Sequence, residues 1–157
     1  MAIASAGGHL VQLRRLRRSF AGCAVTWVTT DPAFEADIRA DAARDGDPAP
    51  GFRAVPEGSR WNKIALLRQM FAVAVSVFTL RPHAIITTGA APGYFAIRCG
   101  RLIGARTIWI DSIANAEKLS LSGREAGRHA HLFLTQWPHL AQDDPDAKGP
   151  RFFGSVI

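Results

Sequence analysis

The run Ser5-Ala6-Gly7-Gly8-His9 gathers in five positions the groups that an anion site needs. Paired glycines let backbone N–H groups approach an anion, and a helix starting just after them adds the partial positive charge of its N-terminus. A phosphate or diphosphate is the natural occupant. An imidazole beside such a hole can donate a hydrogen bond or take a proton from a hydroxyl. A tight strand-to-helix turn uses the same glycines, so this turn alone leaves both readings open. A dinucleotide site fits less well. Asp31 falls roughly where a ribose-binding acid would stand, but AGGHLV is not GxGxxG and lacks the glycines that admit a pyrophosphate and pack the helix.

Two further turns hold chemically useful residues. Thr87-Thr88-Gly89-Ala90-Ala91-Pro92-Gly93 follows an apolar run and opens a helix, with Pro92 early enough that its missing N–H does no harm. Its small residues keep a cleft wall low. Asp111-Ser112 follows RTIWI, where a carboxylate can bind a sugar hydroxyl or orient a catalytic group and the serine can cap the next turn. Ser120, Ser122 and Arg124 either contact a substrate or start a short helix.

The elements that must hold these turns follow from periodicity. Short β-branched or aromatic runs at Met1–Ala4, Ala24–Thr30, Phe52–Val55, Ala84–Thr88, Thr107–Ile110 and His131–Thr135 alternate with helical patterns at His9–Phe20, Pro32–Ala43, Trp61–Leu80 and Pro92–Ile103. A weaker helix lies between Ile113 and Arg128. Such alternation predicts an α/β fold with a parallel sheet and helices on both faces, most deeply buried at AIITT and TIWI. In these sheets ligands bind beyond the carboxyl ends of the strands, which selects the turns after Ala4, Thr30, Thr88 and Ile110.

Composition excludes several classes. The 157 residues fit one domain, and a net charge of +6, spread along the chain, is too modest for a dedicated nucleic-acid binder. Cys23 and Cys99 form no CxxC or Cys/His cluster, and His129 and His131 lack a third ligand, so no metal or other cofactor is expected. The N-terminus has no secretory pattern. Trp109, Trp137 and Phe133 read as core, and the apolar stretch beginning at Trp61 reads first as a buried helix and second as an interfacial one, short of the ~20 residues of a membrane span.

Taken together, ASAGGHLVQLRRL, TTGAAPGYFAIRCGRLIGARTIWIDSIANAEKLSLSGR, HLFLTQWPHL and FFGSVI resemble, in order and over nearly the whole chain, one family. It is the membrane-associated subunit of the two-part UDP-N-acetylglucosamine transferase of dolichol-linked oligosaccharide synthesis, with bacterial exopolysaccharide-type relatives. The resemblance implies a Rossmann-like sheet that is the amino-terminal half of a GT-B glycosyltransferase. Residues 1–157 would form a single acceptor-binding half-domain, with the donor-binding half on a separate partner chain.

By the same resemblance, Ser5, Gly7, Gly8, His9, Gly89 and Gly93 would surround the diphosphate of a polyprenyl-diphosphate-linked sugar acceptor, with His9 catalytic, while Asp111, Ser112 and Asn115 would face the acceptor sugar. The donor would be a UDP-sugar, N-acetylglucosamine or glucuronate. The expected location is peripheral, on the cytoplasmic face of the inner membrane, with Arg14 and Arg18 touching anionic lipid from one helix face. Two other readings stay open: a non-catalytic membrane scaffold that recruits a catalytic subunit, and a free-standing nucleotide-binding enzyme.

Overall fold

A computed structural model describes residues 1–59, 61–142 and 149–156. Seven parallel strands form one sheet in the order β3-β2-β1-β4-β5-β6-β7: β1 Ala2–Ile3, β2 Thr26–Thr29, β3 Gly51–Ala54, β4 Ala84–Thr87, β5 Arg106–Ile110, β6 Leu132–Thr135 and β7 Arg151–Phe152. The helices are α1 Gly8–Arg15, α2 Phe34–Asp45, α3 Lys63–Leu80, α4 Ala90–Leu102 and α5 Leu121–Gly127, with 3₁₀ turns at Arg17–Phe20 and Pro138–Leu140. The order reverses at β1, between β2 and β4, so the loops after β1 and β4 diverge there and leave a crevice.

The period-two side-chain alternation sorts the core into layers. From one face Ile3, Val28 and Ile85 pack with Val73 and Val77 of α3 and Ala96 of α4. From the other, Ala2 and Trp27 pack with Leu10 and Leu13 of α1 and Ile38 of α2. Ile97, Trp109, Ala126 and Phe133 extend the first layer under α5. Both glycine-containing turns are thereby anchored by buried strands, since Ile3, Ala4, Thr87 and Thr88 are fully buried.

The observed elements differ from the predicted ones at their ends. α1 stops at Arg15 and tightens into a 3₁₀ turn, α2 begins two residues after Pro32, and α3 begins at Lys63, capped by Asn62 Oδ1 accepting from Ala65 N at 3.0 Å. α4 begins at Ala90, ahead of Pro92. Within the expected strands, Ile86 and Ile108 are only half-buried, while Ile85, Thr107 and Trp109 on the opposite face are fully buried. The two-residue β7 is too short to leave a periodic signal.

Candidate active site

His9 lies in the first turn of α1, and Thr88 of the β4–α4 turn holds it at two points. The His9 Nδ1 lies 2.9 Å from the Thr88 carbonyl, and the Thr88 hydroxyl donates to the His9 carbonyl at 2.6 Å. A carbonyl oxygen only accepts, so Nδ1 carries the proton in this contact. The tautomer with its proton on Nδ1 is the one that leaves the Nε2 lone pair for a general base. Among the described residues no side chain meets Nε2.

His9 opens onto a cleft of about 430 Å³ lined also by Leu66, Ala90, Ala91, Tyr94, Phe95, Ser112, Ala114, Asn115, Ser120, Leu121 and Ser122. Three helices begin at or beside it: α1 at Gly8, α4 at Ala90 and α5 at Leu121. Each N-terminus leaves backbone N–H groups without intrahelical acceptors and carries partial positive charge. No carboxylate lines the cleft among the described residues. The arrangement suits an anion beside the His9 imidazole.

The turns are built for this opening. Gly7 caps α1 at φ +82°, and nothing lies within 4 Å of where a Cβ of Gly7 or Gly8 would stand, so their backbone faces open space. Thr30 holds the turn from behind, its Oγ1 accepting from Ala6 N at 3.0 Å. Gly89 has φ +126°, and a Cβ there would come within 3.0 Å of the His9 ring. Ala90 follows at φ +65°, a left-handed conformation that costs a non-glycine residue about 1–3 kcal/mol. That strain sits on the cleft wall.

Of the expected site residues, the cleft brings together His9, Ser112 and Asn115, with Gly7 and Gly8 exposed in the turn ahead of His9. Ser5 is half-buried behind the turn and does not line the cleft. Gly93 is corrected from diphosphate contact to packing: it is buried, and a Cβ there would lie 2.1 Å from Thr87 Oγ1. Gly89 contributes shape, because its N–H is already donated to Thr87 Oγ1 at 3.1 Å.

Asp111 is also corrected. Its carboxylate is 1% exposed and is occupied by Ser120 Oγ at 2.6 Å, Ser120 N at 2.9 Å and Trp109 Nε1 at 3.3 Å. It fixes the start of α5, where Ser120 Oγ accepts from Gly123 N at 2.8 Å, and does not reach the cleft. Gly123 packs so closely that a Cβ would stand 2.7 Å from Asp111 Oδ1, which accounts for the SLSGR run. Asp31 accepts from Ala33 N at 2.9 Å and so serves its own turn.

The basic cluster of α1 is partly paired with α2. Arg14 pairs with Asp41 at 2.8 Å and Asp37 at 3.1 Å, and Arg17 with Asp45 at 2.5 Å. Arg18, 82% exposed, reaches Asp45 at 3.8 Å. The acids of α2 thus answer the charge expected to meet lipid.

Sequence reasoning placed the apolar stretch beginning at Trp61 first in the core and second at an interface, and the structure exposes one face of α3. Ile64, Leu67, Phe71, Val75 and Phe78 form a stripe at helical spacing, 41–73% exposed, next to Trp61 at 84%. By length and composition α3 could cross a membrane, with a mean hydropathy of 1.6 and 22% of the helix buried. In the fold it is a layer helix on α4 and the sheet through Val73 and Val77, with Gln69 donating to the Pro56 carbonyl at 2.9 Å. The buried-helix reading holds for one face, and the other face is apolar and exposed. Gln12 and Gln136 were missed, and Thr88 was placed in its turn without a role, since single buried polar residues leave no periodic signal.

The parallel seven-stranded sheet, with its crevice beyond the strand ends, is the Rossmann-like fold of the amino-terminal half of GT-B proteins. MurG from Acinetobacter baumannii superposes with a TM-score of 0.67 at 16% identity, over 99% of this chain and 46% of that one. A putative UDP-N-acetylglucosamine 2-epimerase from Listeria monocytogenes does so with a TM-score of 0.58 at 8% identity, over 86% of this chain and 39% of that one.

In sequence the chain is similar to two fungal proteins, each named UDP-N-acetylglucosamine transferase subunit ALG14. The one from Yarrowia lipolytica is 39% identical over 85 residues, 50% of this chain and 39% of that protein. The one from Eremothecium gossypii is 25% identical across 100% of this chain and 79% of that protein. No protein-family model matches the chain.

Proposed function

We propose that this chain is the acceptor-binding half of a two-chain glycosyltransferase. It holds a polyprenyl-diphosphate-linked sugar and, with a donor-binding partner, transfers a sugar from a UDP-sugar in lipid-linked oligosaccharide or polysaccharide synthesis. The observation that carries this reading is the cleft, where three helix N-termini and a His9 ring held at Nδ1 by Thr88 meet without a carboxylate among the described lining residues. The names of the two fungal relatives favour N-acetylglucosamine over glucuronate as the transferred sugar.

In this reading the acceptor diphosphate lies against the N–H groups at Gly7 to His9, and the sugar reaches toward Asn115. Transfer with inversion requires the acceptor hydroxyl to lose its proton as its oxygen bonds the donor's anomeric carbon and the nucleotide diphosphate leaves with the electron pair of the broken bond. With Nδ1–H spent on Thr88, His9 Nε2 takes that proton. The imidazolium then stands beside the acceptor diphosphate, whose negative charge stabilises it.

A long-chain lipid diphosphate stays in its bilayer, so the cleft must come to the membrane surface. The stripe on α3 supports this, since Leu66 of the same helix lines the cleft. Contact through α3 replaces contact through Arg14 and Arg18, which lie in the opposite layer. The chain would then sit peripherally on the cytoplasmic face of the inner membrane. For the partner, the C-terminal FFGSVI offers Phe153 at 75% exposure, with Ile157 outside the described residues.

The test is reconstitution with the donor-binding chain, UDP-N-acetylglucosamine and a lipid-diphosphate acceptor. Transfer is expected only from the pair. His9→Ala, folded and partnered, should lose about 10² to 10⁴ in rate. Wild-type turnover by His9→Ala would reduce the chain to a scaffold, and transfer by the chain alone would remove the two-chain division.

A further inference from the structure

We propose that Gln12 and Gln136 are positioning residues that make the Ser112 hydroxyl a fixed hydrogen-bond donor toward the cleft, and that the ligand atom it meets is a phosphoryl oxygen. The proposal rests on the anion-site reading above. It follows from polarities that backbone groups impose at both ends of a buried side-chain relay.

Val156 N donates to Gln136 Oε1 at 2.8 Å, so the Gln136 Nε2 lies on the other side of the amide, where it donates to Gln12 Oε1 and to the Asp111 carbonyl, each at 2.9 Å. Flipping this amide would set donor against donor at Val156 and acceptor against acceptor at Asp111. Gln12 is fixed in the same way. Its Oε1 also accepts from Ile113 N at 3.3 Å, which leaves its Nε2 to donate to Ser112 Oγ at 3.1 Å. Ser112 Oγ accepts a second bond from Ala114 N at 3.3 Å.

A hydroxyl has two lone pairs and one proton. Both lone pairs of Ser112 are taken, so what it presents to the cleft is the proton, and among the described residues no acceptor meets it. Gln136 is 1% exposed and Gln12 7%, so the relay runs in a low dielectric, where bonds pointing the same way reinforce one another. A donor-only hydroxyl needs an acceptor on the ligand, and in a cleft lined by helix N-termini, with no carboxylate among its described lining residues, the acceptor that fits best is a phosphoryl oxygen. Because Ser155 Oγ also donates to the Gln136 carbonyl at 2.7 Å, the segment leaving β7 is tied to the same relay.

The full chain titrated with inorganic diphosphate, followed by backbone NMR shifts at Gly7 to His9 and at Ser112, tests this. Wild type and Ser112→Thr should bind alike, and Ser112→Ala should weaken binding about tenfold, the loss of one hydrogen bond to a charged group. Gln12→Glu puts an acceptor where Nε2 stood and draws the Ser112 proton away from the ligand. It should weaken binding by more than Ser112→Ala does, because its charge also repels diphosphate, and only the repulsive part of that loss should remain in the Ser112→Ala background. Gln12→Met, which adds no charge, should give a smaller loss that vanishes in the Ser112→Ala background.

Equal diphosphate binding by wild type and Ser112→Ala would overturn the assignment of Ser112 and leave the anion site standing. A Gln12 effect that persists undiminished without the Ser112 hydroxyl would overturn the relay. No diphosphate binding by wild type, with shifts at Ser112 on adding N-acetylglucosamine instead, would overturn both the phosphoryl assignment and the anion-site reading.

Discussion

At the residue scale, the site depends on absent side chains as much as on present ones. Gly93→Ala would drive a methyl into the buried Thr87 side chain, whose Oγ1 also accepts from Gly89 N. Overpacking of this kind costs about 1–3 kcal/mol, so a lowered unfolding midpoint is expected, with little change in ligand affinity for the fraction that stays folded. Gly89→Ala acts differently. It meets the His9 ring at 3.0 Å and adopts φ +126°, so it should reduce transfer, and a calorimetric melt beside the rate assay separates the two variants. From sequence alone both glycines read as diphosphate ligands, because a glycine spared a clash and a glycine offering its N–H look the same. Asp111 read as a sugar ligand for a related reason: position at a strand end does not tell whether a carboxylate turns outward or back onto Ser120 and Trp109.

At the element scale, α1 carries His9, and the α1–α2 clasp holds α1 in place. The Arg17 guanidinium, hydrogen-bonded to Asp45, holds that carboxyl below its ordinary value, with Arg18 and Arg44 adding to the effect. A depressed folded value means that the stabilisation is present above the ordinary aspartate pKa, 3.8, and is lost as pH falls through the lower folded value. Asp45→Asn should therefore melt below wild type at pH 7, and the gap should close in acid below pH 3.8. A gap independent of pH would mean that packing, not charge, joins the helices. The parallel sheet and its major helices were legible in sequence because their periodicity is long and their apolar runs are strong. The partners of the arginines were not, since Asp37, Asp41 and Asp45 stand 23 or more positions away from Arg14.

At the scale of the whole molecule, the proposed function gives the cleft, the apolar stripe and the C-terminal segment three different roles: anionic ligand, membrane and partner chain. Replacing Ile64 and Phe71 of α3 with Glu should cut binding of the chain to anionic vesicles by tenfold or more, since each buried large apolar side chain contributes about 1.5–3 kcal/mol. Arg14→Glu and Arg18→Glu should matter less in the same sedimentation assay. The reverse ranking would return lipid contact to α1. The most direct test of the central reading is titration of the purified chain, without partner, with a short-chain polyprenyl-diphosphate N-acetylglucosamine and, separately, with UDP-N-acetylglucosamine. The expected result is saturable binding of the lipid-linked sugar, with NMR shifts at Gly7 to His9, Ser112 and Asn115, and no binding of the nucleotide sugar. Tight binding of UDP-N-acetylglucosamine in that cleft, with the lipid-linked sugar ignored, would contradict the assignment of this half to the acceptor.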